Sequence, residues 1–289
     1  MTVPANPLPR TAGVAAGAIF VAVQIGHHHS SAKVIQTTDV YIRDRWRRAR
    51  RVLEARVPLP IIHVVPVEHP ETPAVVRRRR RVVAGVAVLG TGLLGLSLST
   101  KPDSKAFYAM TSAVAATWTV GGLVSGPLHL GWIQTRDQHL RRPVATPVAT
   151  GVGAFGFFYA CALVARQIPV LDRAIGNVLQ FAEQGQGPLV AATTLANGLG
   201  EEIFFRGAMY AALDPRRAVV ASTAAYTLTT ASTRNPALML AAGVMGTLFG
   251  LQRRASGGLE APVLTHLTWS ILMLRYLPPL FRHAHGGQA

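Results

Sequence analysis

The 289-residue chain has one cysteine, three lysines and thirteen acidic residues. The single thiol, Cys161, excludes an intramolecular disulfide and any metal site built on several cysteines. It lies in an apolar run and is expected to pack as a small hydrophobe. The shortage of acid leaves a formal net charge of +16, and because lysine contributes only Lys33, Lys101 and Lys105, the basic load is nearly all arginine. Such an excess suits nucleic acid or a membrane surface. Here the arginines fall between apolar runs, which favours orientation signals and contact with anionic membrane lipid over nucleic acid. Apolar residues dominate. The chain is 49% hydrophobic with a mean hydropathy of +0.29, which fits a multi-span membrane protein better than a soluble domain.

Seven apolar runs are expected to span: Val82–Ser99, Ala106–Ile133, Pro147–Ala165, Gly187–Leu213, Ala218–Ala231, Pro236–Leu251 and Ala261–Leu277. Five consecutive arginines, Arg77–Arg81, abut the first and place the N-terminal side in the cytoplasm. The connections alternate in agreement. Thr135–Arg142, Asp214–Arg217 and Gln252–Gly258 should face in, and each carries at least two arginines. Lys101–Lys105, Gln167–Gln186 and Thr233–Asn235 should face out, and none has more than two cations. The C-terminus is then outside. Within Gln167–Gln186, apolar residues from Ile168 to Phe181 recur at spacings near three and four, which predicts a helix in the interface: a connection or a lid.

The expected fold is therefore an all-α polytopic membrane protein of about seven transmembrane helices with a small cytoplasmic N-terminal region. Three parts are expected: a basic region over 1–76, two transmembrane helices over 77–145, and a core over 146–282. The basic region holds Thr11–Gly26, a short apolar run that would make an eighth span if it inserts, followed by His27, His28 and His29, read as a solvated loop. Thr38–Val57 predicts a basic helix suited to an anionic leaflet or to packing on its own domain, and Pro58–Pro73 predicts an extended linker or edge strand. The arginine-, alanine- and valine-rich composition suits a high-GC bacterium and its cytoplasmic membrane.

The chemistry is concentrated in Gly200-Glu201-Glu202-Ile203-Phe204-Phe205-Arg206-Gly207. Each ionisable group at bilayer depth costs roughly 2.5–3.5 kcal/mol on insertion scales, so three together indicate a functional site. Glu202 and Arg206 stand four apart, carboxylate first, and predict a structural ion pair. Glu201 points about 100° away, with Phe205 rather than a cation at i+4. A desolvated carboxylate so placed suits proton transfer to and from water, so Glu201 is the expected general base. In the last span His266 is the second polar group, with Ser270 one turn on. By helical rise, His266 lies about 11 Å and Glu201 about 18 Å in from the cytoplasmic end, close enough in depth to meet.

Glu-Glu-x-x-x-Arg on one membrane helix, followed some sixty residues later by a His on another, resembles the CPBP family of type II CAAX prenyl endopeptidases and bacteriocin-processing or immunity proteins. The likeness covers roughly residues 150–277, and EEIFFRG is its most specific element. It implies an all-helical membrane core, a cavity open to one side, and hydrolysis of a peptide bond in a membrane-associated substrate. It also implies that Glu201 activates water while Glu202 and Arg206 hold the helices. The family's Phe-x-x-x-His supplies a second water-activating group, and its final His-x-x-x-Asn or Asp helps stabilise the oxyanion. This chain departs from both motifs: Tyr226 and Thr230 stand for the Phe and His, and Ser270 stands for the Asn.

Members of that family are often labelled metalloproteases. Two Glu and one His would give a zinc at most three protein ligands, one of them committed to Arg206, so no metal and no other cofactor is expected. The expected catalytic set is Glu201, His266, Thr230 and Ser270, the last two as hydrogen-bond donors. A catalytically weakened relative, acting in membrane binding, immunity or scaffolding, is the alternative. A transporter whose buried Glu and Arg line a path is the third reading.

Overall fold

The computed structural model describes residues 71–134 and 139–281. The Thr11–Gly26 run, the three histidines after it and the Thr38–Val57 helix lie outside the described residues, as does the linker up to residue 70. The described chain is helical apart from one small hairpin. In order it runs α1 (Pro73–Ser97), α2 (Lys105–Ser125), β1 (Ile133–Gln134), β2 (Leu140–Arg141), α3 (Ala145–Ala165) and α4 (Pro169–Gln184). Next comes α5 (Gly187–Glu201), which continues without a break through a π segment (Glu202–Met209) into the short α6 (Tyr210–Ala212). Helices α7 (Ala218–Ala231), α8 (Pro236–Ser256), α9 (Glu260–Tyr276) and the single turn α10 (Pro278–Phe281) complete it.

This is an integral membrane protein. Helices α1, α2 and α3 are each long and apolar enough to cross a bilayer by length and composition, three of the seven runs expected to do so. Large apolar side chains point outward along them, among them Val88, Leu96, Leu123, Phe157 and Val164. The shorter α7 does the same, with Val220 and Leu228 at 74% and 71% exposure. Such faces suit lipid rather than water. Between helices, lipid provides no hydrophobic drive, so close van der Waals packing over small residues must hold them. The backbone at Gly90 lies against the Trp118 indole, Gly122 against Ile203, and Gly151 against Thr265 and Thr268.

Several boundaries differ from the sequence expectation, each for a local reason. Helix α1 begins at Pro73 rather than Val82. Thr72 caps it through a hydrogen bond from Val75 N, and Pro73 opens the first turn, where its missing N–H costs nothing. The five arginines are therefore helical, and Pro73 starts a helix instead of ending a linker. Helix α2 stops at Ser125, eight residues before Ile133. Gly126 adopts φ 150°, and Pro127 follows, which cannot continue a helix. Residues 133–134 instead pair antiparallel with 140–141 as a hairpin within an otherwise all-α chain. The segment before it, residues 127–132, docks on the α8–α9 connection: Leu259 N donates to His129 O and Trp132 N to Ser256 O. Gly258 meets the Leu130–Gly131 backbone so closely that any side chain would collide with it.

The expected helix within Gln167–Gln186 is present as α4, and it is packed down. Phe181 stacks near Phe107 at 4.7 Å, Asn235 Nδ2 donates to Ala174 O at 2.6 Å, and Leu179 joins Ala162, Leu277 and Phe281 in one apolar cluster.

Candidate active site

The π segment positions the site. Its wider turn, bonded i→i+5, is a local distortion found often at functional positions. It carries Glu202 and Arg206, and every residue from Phe204 to Met209 is buried. Phe204 and Phe205 anchor it against Trp118 of α2, at ring separations of 4.7 and 5.2 Å, and Phe205 also meets Tyr226 of α7 at 4.9 Å.

Glu202 is fully buried, and one of its oxygens serves two partners. Oε1 accepts from Arg206 Nη1 at 3.1 Å and bonds His266 Nδ1 at 2.8 Å. An ionised carboxylate only accepts, so Nδ1 carries the proton and Nε2 is left as the free ring position. That Nε2 faces Gly198 of α5, where a Cβ would lie 3.4 Å away. The imidazole is further held by stacking on Phe249 of α8, with centroids 4.8 Å apart.

Arg206 is fully buried as well. Its guanidinium sits between the ring faces of Tyr226 (4.6 Å) and Phe249 (5.1 Å), and Gly246 leaves it room. Glu202 is its only ion pair among the described residues. The cation–π faces supplement that charge, each worth about 2 kcal/mol when desolvated.

Glu201 is half-buried and makes a different contact: Tyr226 donates its hydroxyl to Oε2 at 2.6 Å. The two adjacent carboxylates are thus separated by partner. Glu202 is committed to a cation and an imidazole, and Glu201 to one neutral phenol.

Three expectations need correcting. His266 bonds Glu202 rather than Glu201, because azimuth as well as depth decides which of two neighbouring carboxylates it reaches. Glu201 has a partner after all, supplied by α7 instead of its own helix. Thr230, although buried, donates its hydroxyl to Tyr226 O at 2.9 Å, the usual recourse of a threonine in an apolar helix. Ser270 is buried one turn beyond His266, and its hydroxyl makes no hydrogen bond among the described residues. The residue that sequence reasoning passed over is Tyr226. Its signal was available, since a phenol in an apolar helix requires an acceptor.

Behind the site, Gln252 Nε2 donates to Thr265 Oγ1 at 2.8 Å, and Thr265 Oγ1 donates to Pro147 O at 2.9 Å. This relay locks α8, α9 and α3 and sets the height of His266, one residue beyond Thr265. Among the described residues, no group of three or more His, Cys, Asp or Glu side chains is arranged to hold a metal ion.

Residues 184–272, just under a third of the chain, match the family model described as type II CAAX prenyl endopeptidase Rce1-like. No curated protein and no solved structure matches the chain. The matched segment runs from the end of α4 into α9 and contains Glu201, Glu202, Arg206, Tyr226 and His266. Over this segment the chain is similar to the Rce1-like type II CAAX prenyl endopeptidases.

Proposed function

From the Rce1-like similarity over residues 184–272, we propose that the chain is an intramembrane endopeptidase that hydrolyses a peptide bond of a membrane-associated substrate. The observation that carries the reading is the division of labour between the two carboxylates: Glu202 held by Arg206 and His266, Glu201 held only by the Tyr226 hydroxyl. Gly198 and Glu201 stand three apart on one helix, so the His266 Nε2 facing Gly198 and the Glu201 carboxylate border a common space. Water there would give a proton to Glu201 as its oxygen attacks the scissile carbonyl carbon. His266 Nε2 would assist the attack. Ser270, with its hydroxyl uncommitted, would donate to the developing oxyanion. The C–N bond then breaks as Glu201 returns the proton to the leaving nitrogen, giving an amine and a carboxylic acid, whose remaining proton passes to the amine or to solvent. Tyr226 acts on Glu201 as a positioning residue.

The mechanism routes no step through a metal. Glu202 Oε1 is committed twice, Glu201 Oε2 once, and Thr230 supplies no imidazole. The proposal also includes seven spans, with the arginine-rich ends of α1, the 214–217 connection and the α8–α9 turn in the cytoplasm of a bacterium. Membrane lipid and a membrane-associated peptide or protein are the partners, and nucleic acid is not. A catalytically weakened relative that binds such a partner is the second reading, favoured by the turning of the Thr230 hydroxyl to its own helix.

The test is cleavage of a quenched membrane-peptide library by the purified chain in detergent, beside Glu201→Gln and His266→Ala. Cleavage lost in both variants supports the enzyme. No cleavage by the unmodified chain, with a membrane partner still retained, supports the second reading.

A further inference from the structure

At the other end of the π segment from Glu201, a cavity of about 330 Å3 opens between α1, the turn at 127–129 and the chain around Tyr210–Pro215. Two guanidinium groups line it, Arg80 from α1 and Arg253 from α8. Each is anchored through Nε alone, Arg80 to Ala212 O at 3.0 Å and Arg253 to Arg206 O at 2.8 Å. Neither makes a hydrogen bond through its terminal Nη atoms among the described residues. Arg253 lies over the Tyr210 ring, 5.1 Å from its centroid, which fixes its plane. Glu71 is the only carboxylate among the described lining residues. Both its oxygens are taken by the buried Arg79, whose remaining N–H groups reach Ser125 Oγ and Pro127 O. Among the described residues, the cavity therefore carries positive charge with no uncommitted carboxylate to balance it.

We propose that this cavity binds a phosphate-bearing anion, either the headgroup of an anionic lipid or a free phosphate. Two guanidinium groups from separate helices and the Tyr210 phenol line one cavity, and the tetrahedral non-bridging oxygens of a phosphate or phosphodiester accept from donors in different planes, whereas the oxygens of a carboxylate lie in one plane. The position suits a headgroup, since Arg216, Arg217, Arg253 and Arg254 gather at this end of the helices. Arg253 also ties the cavity to the carbonyl of Arg206, so an occupant braces the π segment that carries Glu202.

The test is native mass spectrometry of the full chain from maltoside detergent, titrated separately with phosphatidylglycerol, phosphatidylcholine and inorganic phosphate. The variants are Arg80→Gln, Arg253→Gln and Arg81→Gln, the last an exposed arginine of the same run that does not line the cavity. Retention of phosphatidylglycerol over phosphatidylcholine assigns the lipid source, and retention of inorganic phosphate assigns the soluble one. In either case affinity should fall about tenfold in Arg80→Gln and in Arg253→Gln and stay unchanged in Arg81→Gln. If Arg253→Gln does not fold, Arg80→Gln, at the exposed rim, carries the comparison. Binding of neither probe overturns the proposal. So does an equal loss in all three variants. Because binding is read without cleavage, the result is independent of the proteolytic reading.

Discussion

Glu202→Gln and Glu201→Gln change adjacent residues by the same atom, yet they should damage different properties. Glu202 and Arg206 are both fully buried, and Arg206 Nε and Nη2 make no hydrogen bond among the described residues. A glutamine at 202 can still accept a hydrogen bond from Arg206 or His266, so the number of contacts need not fall. What is lost is the counter-charge. Removing one partner of a buried ion pair costs about 3–5 kcal/mol, because the other charge stays buried. The Tyr226 and Phe249 faces already contribute in the native protein and cannot replace it. For a chain of this size the loss corresponds to a fall on the order of 10 °C in melting temperature. At position 201 the carboxylate is half-buried and holds one bond from a neutral hydroxyl, which a glutamine oxygen can also accept. Its cost should stay under about 1.5 kcal/mol, while cleavage should disappear because an amide cannot take the proton from water. Thermal unfolding in detergent, followed by tryptophan fluorescence beside a quenched-peptide assay, measures both. The reasoning is wrong if Glu202→Gln melts with the unmodified chain, or if Glu201→Gln is the less stable of the two.

Tyr226→Phe keeps the ring that packs on Arg206 and Phe205 and removes only the donor to Glu201. A hydrogen bond to a charged group is worth about 1.5–3 kcal/mol, so cleavage should fall roughly tenfold or more and its pH profile should move; an unchanged profile refutes the positioning role. Gly90→Ala places a methyl into the Trp118 indole and should destabilise the α1–α2 contact by about 1–3 kcal/mol in detergent unfolding. Gly92→Ala on the same helix meets nothing within 4 Å and should be neutral or stabilising.

What could be read from the chain, and what could not, divides along a physical line. Helix limits set by local chemistry were legible: Ala218–Ala231 is bounded as its apolar run suggests, and Asn235 before Pro236 caps α8 with its own side chain. The two-residue strands were not, because so short a segment in a polar loop carries no periodicity. The arginine run shows the limit of a topology signal. Five consecutive residues on a helix step through the full circle at 100° each, so at least one must turn toward the protein. That one is Arg79, which is fully buried. The site follows the same rule. Spacing showed that Glu202 and Arg206 share a face, and rise showed that Glu201 and His266 are close enough in depth to meet. Neither quantity contains the rotation of α5 relative to α7 and α9. That rotation is set by contacts such as Gly200 against the Ala115 carbonyl and Gly122 against Ile203, and the π segment then alters it again from Glu202 onward. Which carboxylate receives the imidazole and which the phenol is therefore a property of the packed helices. A sequence pattern can show only what chemistry each helix brings.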